Sequence, residues 1–159
     1  MTGFKSLVAR RLHVTSGPGA LERLRRGLDE ALAFGVRSPE ARALALLAVE
    51  EAAANVLEHG YRGRAGRPLE IVIRIDVGGR FAVTLRDRAP ECDVTALPAV
   101  DLDRLARACA ERGRGLAMVR RIAASMRHRA RRGGGNELTL TFDATRLSGG
   151  AGSLCEEAA

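Results

Sequence analysis

Tryptophan is absent from this chain, and aromatic residues make up only 3% of it. A core must therefore be assembled from Leu, Val, Ile and Ala, and the apolar fraction of 46% excludes a disordered chain. Cysteine is scarce. Cys92, Cys109 and Cys155 are odd in number and show no Cys-x-x-Cys spacing, so neither a disulfide framework nor a zinc site is indicated. No stretch approaches the roughly 20 apolar residues of a membrane span. The first thirty residues contain no unbroken apolar segment of the signal-peptide kind. The expectation is a reduced, cytoplasmic setting without membrane contact. The length of 159 residues suits one domain with a true core and is short for two.

Lysine is nearly missing too, with Lys5 alone among 26 basic residues. The net charge of +7 and the pI near 10.8 are carried by arginine. Arginines cluster at 10–11, 23–26, 120–121 and 127–132. No aromatic side chains lie among them to stack on bases, so direct nucleic-acid binding ranks behind an acidic protein or a polyphosphate ligand.

Val8, Arg10, Leu12 and Val14 alternate as in a strand, ended by Ser16-Gly17-Pro18-Gly19. Leu21, Leu24, Leu28, Ala31 and Leu32 recur at helical spacing to about Phe34, with Gly35 as a stop. Ser38 and Pro39 open a second helix that runs to about His59. Two alternating segments, Leu69–Ile75 and Phe81–Leu85, flank Gly78-Gly79 and read as a hairpin. A loop with Pro90 and Pro98 follows, then a short helix at Leu102, Leu105 and Ala106. Leu116, Val119, Ala123 and Met126 mark a further helix, and strands at about 125–132 and 137–143 flank Gly133–Asn136. Residues 1–147 form one domain on this reading, and residues 148–159 a frayed tail. Hairpins joined by helices predict an antiparallel or mixed sheet with helices on one face.

Three features carry chemistry. Glu51, Asn55 and His59 are spaced four apart, in one row beside the apolar side of the second helix formed by Ala45, Val49, Ala52 and Val56. A carboxylate and an amide beside a buried stripe need partners, and magnesium with phosphate oxygens would supply them. Arg112-Gly113-Arg114-Gly115-Leu116 precedes an amphipathic helix, where glycines and a helix N-terminus favour phosphate. A lone Gly-x-Gly fits a plain loop equally well. It also lacks the Walker lysine and the preceding strand of a dinucleotide fingerprint. Asp87, at the end of a strand, could accept a hydrogen bond from an exocyclic amine.

In this order the three resemble something specific. Glu51-Ala-Ala-Ala-Asn55 through His59-Gly-Tyr61, then Leu85-Arg-Asp87, then Arg112 to Met118 are similar to the N, G1 and G2 boxes of the GHKL ATPase superfamily. The Glu-x-x-x-Asn and His-Gly-Tyr pattern in a small lone domain resembles the anti-sigma-factor serine kinases. The resemblance covers roughly residues 8–143. It implies a two-layer α/β sandwich with a mostly antiparallel sheet and a lid, roughly residues 89–115, over ATP. It also implies Glu51 as general base, Asn55 as the magnesium ligand and Asp87 as the adenine acceptor. Ala89, Arg112, Gly113, Arg114, Gly115, Leu116 and Asn136 would complete the nucleotide site. The implied partners are an anti-anti-sigma protein bearing the substrate serine and a sigma factor, with a homodimer also in keeping with the family. Arg23, with Arg25 and Arg26, is the candidate partner surface.

Two positions depart from the family pattern. Ala89 stands where the G1 box has glycine, and Gly135-Asn136 stands for the usual Gly-Thr. A non-catalytic ATP-binding regulator that only sequesters its partner is therefore the competing expectation. A detached histidine-kinase catalytic domain fits less well, because no second glycine pair follows Asp87.

Overall fold

The computed structural model describes residues 6–98 and 114–149. Its order is β1 (Ser6–Thr15), α1 (Ala20–Ala33), α2 (Pro39–Asn55) running into a π-turn (Val56–Gly60), β2 (Pro68–Asp76), β3 (Arg80–Arg86), α3 (Arg114–Ile122), β4 (Ser125–Ala130), β5 (Asn136–Asp143) and α4 (Ala144–Gly149). The strands form one five-stranded sheet in the order β1-β2-β3-β5-β4. All four pairings are antiparallel. This is the α/β sandwich expected, and the helix predicted at 102–106 lies outside the described residues.

Alternation decides which face each strand buries. Ile71, Leu85 and Leu138 lie in register on the inner face, as do Ile73, Val83 and Leu140, and then Ile75, Phe81 and Phe142. Phe81 and Phe142 stack with ring centroids 5.0 Å apart. The scarcity of aromatics is met by aliphatic rows and this single ring pair. α2 lies at the centre of the helical layer, in contact with α1, α3 and α4. Its buried residues are mostly alanine (Ala41, Ala45, Ala48, Ala52, Ala53), which lets neighbouring elements approach closely. Ser38 caps it, its Oγ accepting the Ala41 N–H at 3.1 Å, with Pro39 in the first turn as expected.

The outer face carries a charge ladder across the strands. Glu70 meets Arg11 at 3.1 Å and Arg86 at 3.5 Å, while Glu137 meets Arg86 at 2.7 Å and Arg129 at 3.0 Å. The Glu137 carboxylate, with Glu70 behind it, raises the Arg86 pKa further above its ordinary value.

Three sequence-based boundaries change. The helix expected through Met126 stops at Ile122, and Met126 sits in β4 opposite Leu140. β4 ends at Ala130 rather than 132, because the Arg131 N–H already closes the turn on the Gly135 carbonyl at 3.0 Å. α4 was not anticipated. Asp143 starts it by accepting the Thr145 N–H at 2.9 Å, and Leu147 buries itself against the core.

Candidate functional site

Antiparallel order brings the C-terminal ends of β3 and β4 and the N-terminal end of β5 to one end of the sheet. The end of α2 arrives at the same place, tied in by Tyr61. Its hydroxyl donates to the Pro68 carbonyl at 2.6 Å and accepts the Arg88 N–H at 2.8 Å. Burial raises the Tyr61 pKa above the ordinary phenol value, against the lowering effect of the Arg88 N–H and with a further rise from the Asp87 charge.

Asp87 is buried, at 4% exposure. Its Oδ1 accepts the Ala89 N–H at 2.8 Å and an amide hydrogen of Asn136 at 2.9 Å. No other described residue bonds Oδ2, so the carboxylate keeps one acceptor for a ligand amine. Ala89, the departure from glycine, does not adopt a positive φ. It is buried and lies against Gly60, where an added Cβ would come within 2.9 Å of the Ala89 Cβ.

Asn136 is satisfied within the protein. Its Oδ1 accepts the Cys92 N–H at 2.9 Å and faces His128 Nε2 at 3.0 Å. Its Nδ2 donates to Asp87 and to the Pro90 carbonyl at 3.1 Å. Gly135 is held at φ 97, and a Cβ there would fall on the Asp87 carbonyl oxygen. The turn can press against the end of β3 only because this residue is glycine. Arg131 adds a hydrogen bond of 3.1 Å to the same carbonyl.

Glu51 and Asn55 are half-buried on α2, and neither bonds another described residue. α3 packs along α2 so that Gly115, in its first turn, abuts the Glu51 carboxylate, where an added Cβ would collide with Oε2. The structure thus brings together Glu51 and Gly115 at one point, and Asp87, Ala89 and Asn136 at another. Leu116 is half-buried beside Gly115. Arg112 and Gly113 lie outside the described residues, as do the Arg114 side chain and lid residues 99–113. His59 leaves the row with Glu51 and Asn55, because the π-turn changes the helical spacing after Asn55, and it is exposed.

The three α1 arginines differ. Arg23 donates to the Pro18 carbonyl at 2.9 Å and the Thr15 carbonyl at 3.1 Å, bracing the turn after β1. Arg25 lies 3.4 Å from the Glu50 carboxylate as an ionic contact, without hydrogen-bond geometry. Arg26 is exposed. Sequence reasoning missed Tyr61 as a brace and His128 as a buried neighbour of Asn136. The signals were present: Tyr61 is the only tyrosine of the chain, and His128 alternates inward with Met126.

The description "Histidine kinase-like ATPase domain" belongs to the family model that matches residues 14–142. The chain belongs to this family. Three solved structures are similar to it. The RsbU and RsbW domains of Rv1364c from Mycobacterium tuberculosis match at 22% identity and TM-score 0.57, over 84% of this chain and 32% of that one. The chain thus spans about a third of that protein's length. The SiaB–SiaC complex from Pseudomonas aeruginosa matches at 15% identity and TM-score 0.60, over 87% of this chain and 90% of that one. A histidine kinase domain from Erythrobacter litoralis EL346 matches at 16% identity and TM-score 0.50, over 82% and 62%. No curated protein gives a significant sequence match. At these identities the likenesses establish the histidine kinase-like ATPase fold, and function rests on the site.

Proposed function

We propose that the chain binds ATP between α2, the end of β3 and the start of α3, and acts as a serine protein kinase. Its substrate would be a serine on an anti-anti-sigma protein, and its second partner a sigma factor that it sequesters. The observation that carries this reading is the packing of Gly115 on Glu51. A helix N-terminus, suited to phosphate, stands beside a carboxylate with no partner among the described residues. Family membership supports ATP as the nucleotide, and the open Oδ2 of Asp87 suits the adenine amine.

Glu51 would take the proton of the serine hydroxyl as its oxygen bonds the γ-phosphorus and the bond to the ADP oxygen breaks. Asn55, half-buried and unbonded among described residues, fits an oxygen ligand of magnesium, which would supply charge neutralisation on the phosphates. Asn136, with its amide already engaged, would hold Asp87 in place rather than touch the base. A structural relative solved as a complex of two proteins, SiaB and SiaC, supports a protein partner.

Titration calorimetry with ATP and magnesium tests the binding half, and no heat of binding would remove it. Glu51→Gln tests the kinase half. Transfer to the cognate serine is expected to fall by at least ~100-fold with nucleotide affinity nearly unchanged. The competing reading, a regulator that binds ATP without transferring phosphate, is favoured by Ala89 at the glycine position of the G1 loop. It would be left standing if the parent chain binds ATP and its partner yet transfers nothing.

A further inference from the structure

A cleft of about 400 Å³ opens between the turn after α2 and the loop leaving β3. Arg62, Arg64, Arg67 and Arg88 line it, with Tyr61 and Ala89 among the residues between them. No acidic side chain lines it. None of the four guanidinium groups is paired with another described residue. This sets them apart from the arginines of the outer sheet face, where Glu70 and Glu137 neutralise Arg11, Arg86 and Arg129. The four arginines are exposed, and cations gathered on residues that line one concavity repel one another, so an anion bound there relieves that repulsion.

The backbone adds an independent sign. Arg62 has φ 53, the only positive φ on a non-glycine among the described residues. It occupies the left-handed position that ends a helix, with the Gly63 N–H closing on the Leu57 carbonyl at 3.0 Å. Glycine meets that geometry at least cost, and glycines stand nearby at 60 and 63. Arg62, one of the four arginines of the cleft, is thus held in a backbone conformation that costs it more than glycine, as strained residues are at ligand clamps.

We propose that this cleft, which adjoins the Asp87 end of the nucleotide site through Ala89 but includes neither Glu51 nor Asp87 in its lining, is a second anion site for a ligand carrying two or more phosphate groups. Guanidinium forks match phosphate oxygens in pairs. A concavity of this volume is the size of a small-molecule site. An acidic peptide would spread single carboxylates along an extended backbone instead of concentrating charge in the cleft.

The test is calorimetry of the full chain with tripolyphosphate at fixed ionic strength. Arg64→Glu/Arg67→Glu is compared with Arg127→Glu/Arg132→Glu, which makes the same change in net charge away from the cleft. The cleft pair is expected to weaken tripolyphosphate binding at least ~10-fold and the control pair less than ~3-fold, with ATP affinity of the cleft pair unchanged. Equal weakening by both pairs would reduce the effect to net charge and overturn the site. Parallel loss of ATP binding would merge the cleft with the nucleotide pocket and equally overturn it. Unchanged tripolyphosphate binding, no binding by the parent chain, or binding of hexaglutamate as tight as that of tripolyphosphate would each do the same. If the reversed pair does not fold by circular dichroism, Arg64→Gln/Arg67→Gln replaces it, with ~5-fold weakening expected and unchanged affinity overturning the proposal.

Discussion

The side-chain amide of Asn136 donates to Oδ1 of Asp87 at 2.9 Å, linking the first residue of β5 to the residue just beyond β3. Both are buried, and the adjacent backbone ladder continues through the Asp87 N–H to the Asn136 carbonyl at 3.0 Å. One asparagine therefore holds the carboxylate that we propose for adenine, and also anchors the loop at Cys92.

Asn136→Ala removes five side-chain contacts at once: to Asp87, His128, the Cys92 N–H and the Ala89 and Pro90 carbonyls. Leaving buried polar groups unpaired is expected to cost about 2–3 kcal/mol in urea denaturation. Nucleotide affinity measured by calorimetry should fall as well, because Asp87 loses its orientation. A stable variant with full affinity would separate Asn136 from the site.

Gly135 and Gly134 give a matched pair. Both have positive φ, 97 and 94, but a Cβ at Gly134 meets nothing within 4 Å whereas one at Gly135 falls on the Asp87 carbonyl. Gly134→Ala should cost about 1 kcal/mol of backbone strain, and Gly135→Ala should exceed it by about 2 kcal/mol. Equal losses in thermal or urea unfolding would mean that the turn can move away from β3.

At Gly115 the added methyl group would strike the Glu51 carboxylate. Gly115→Ala should push α3 away from α2 or rotate Glu51, and phosphoryl transfer to the partner serine should drop about 10–100-fold. Alanine favours helix, so the unfolding midpoint is expected to shift little. A variant that is as active as the parent would take this contact out of the proposed mechanism.

Much of this arrangement could be read from the residues. The inner-face rows of β2, β3 and β5 follow from strict alternation, and Ser38-Pro39 sets the start of α2 through cap chemistry. Motif order put Glu51 and Asn55 on one helix and Asp87 at a strand end, where the structure has them. The π-turn after Asn55 was hidden, because the Ala-rich sequence continues at a spacing that any helix would accept. His128 looked featureless, since its neighbour Asn136 joins it only through the β4–β5 pairing. Arg23 is a surface cation by composition, while its tie to the Thr15 and Pro18 carbonyls depends on where the β1–α1 turn folds back. α4 was missed because its start signal is a single Asp143, the last residue of a strand already assigned.

Tyr61, the only tyrosine, offers a clean pH measurement. Burial is the main cause that raises its pKa above the ordinary 10.0, so the folded chain holds the phenol neutral to higher pH than the unfolded chain does. A raised pKa gives stability that is complete below the unfolded value, and it is lost as pH rises from about 10 through the folded value. The arginines stay charged in that range, and the one lysine lies far from the site in sequence. Tyr61→Phe cannot ionise, but it leaves the Arg88 N–H and the Pro68 carbonyl without their hydroxyl partner. Near neutrality the variant should be less stable by about 1–2 kcal/mol. Above pH 10 the parent alone carries the alkaline loss at this position, so the gap between the two should narrow. Urea midpoints at pH 8 and pH 10.5 measure both arms, and a gap that stays constant would mean that the phenol ionises no later in the folded chain than in the unfolded one.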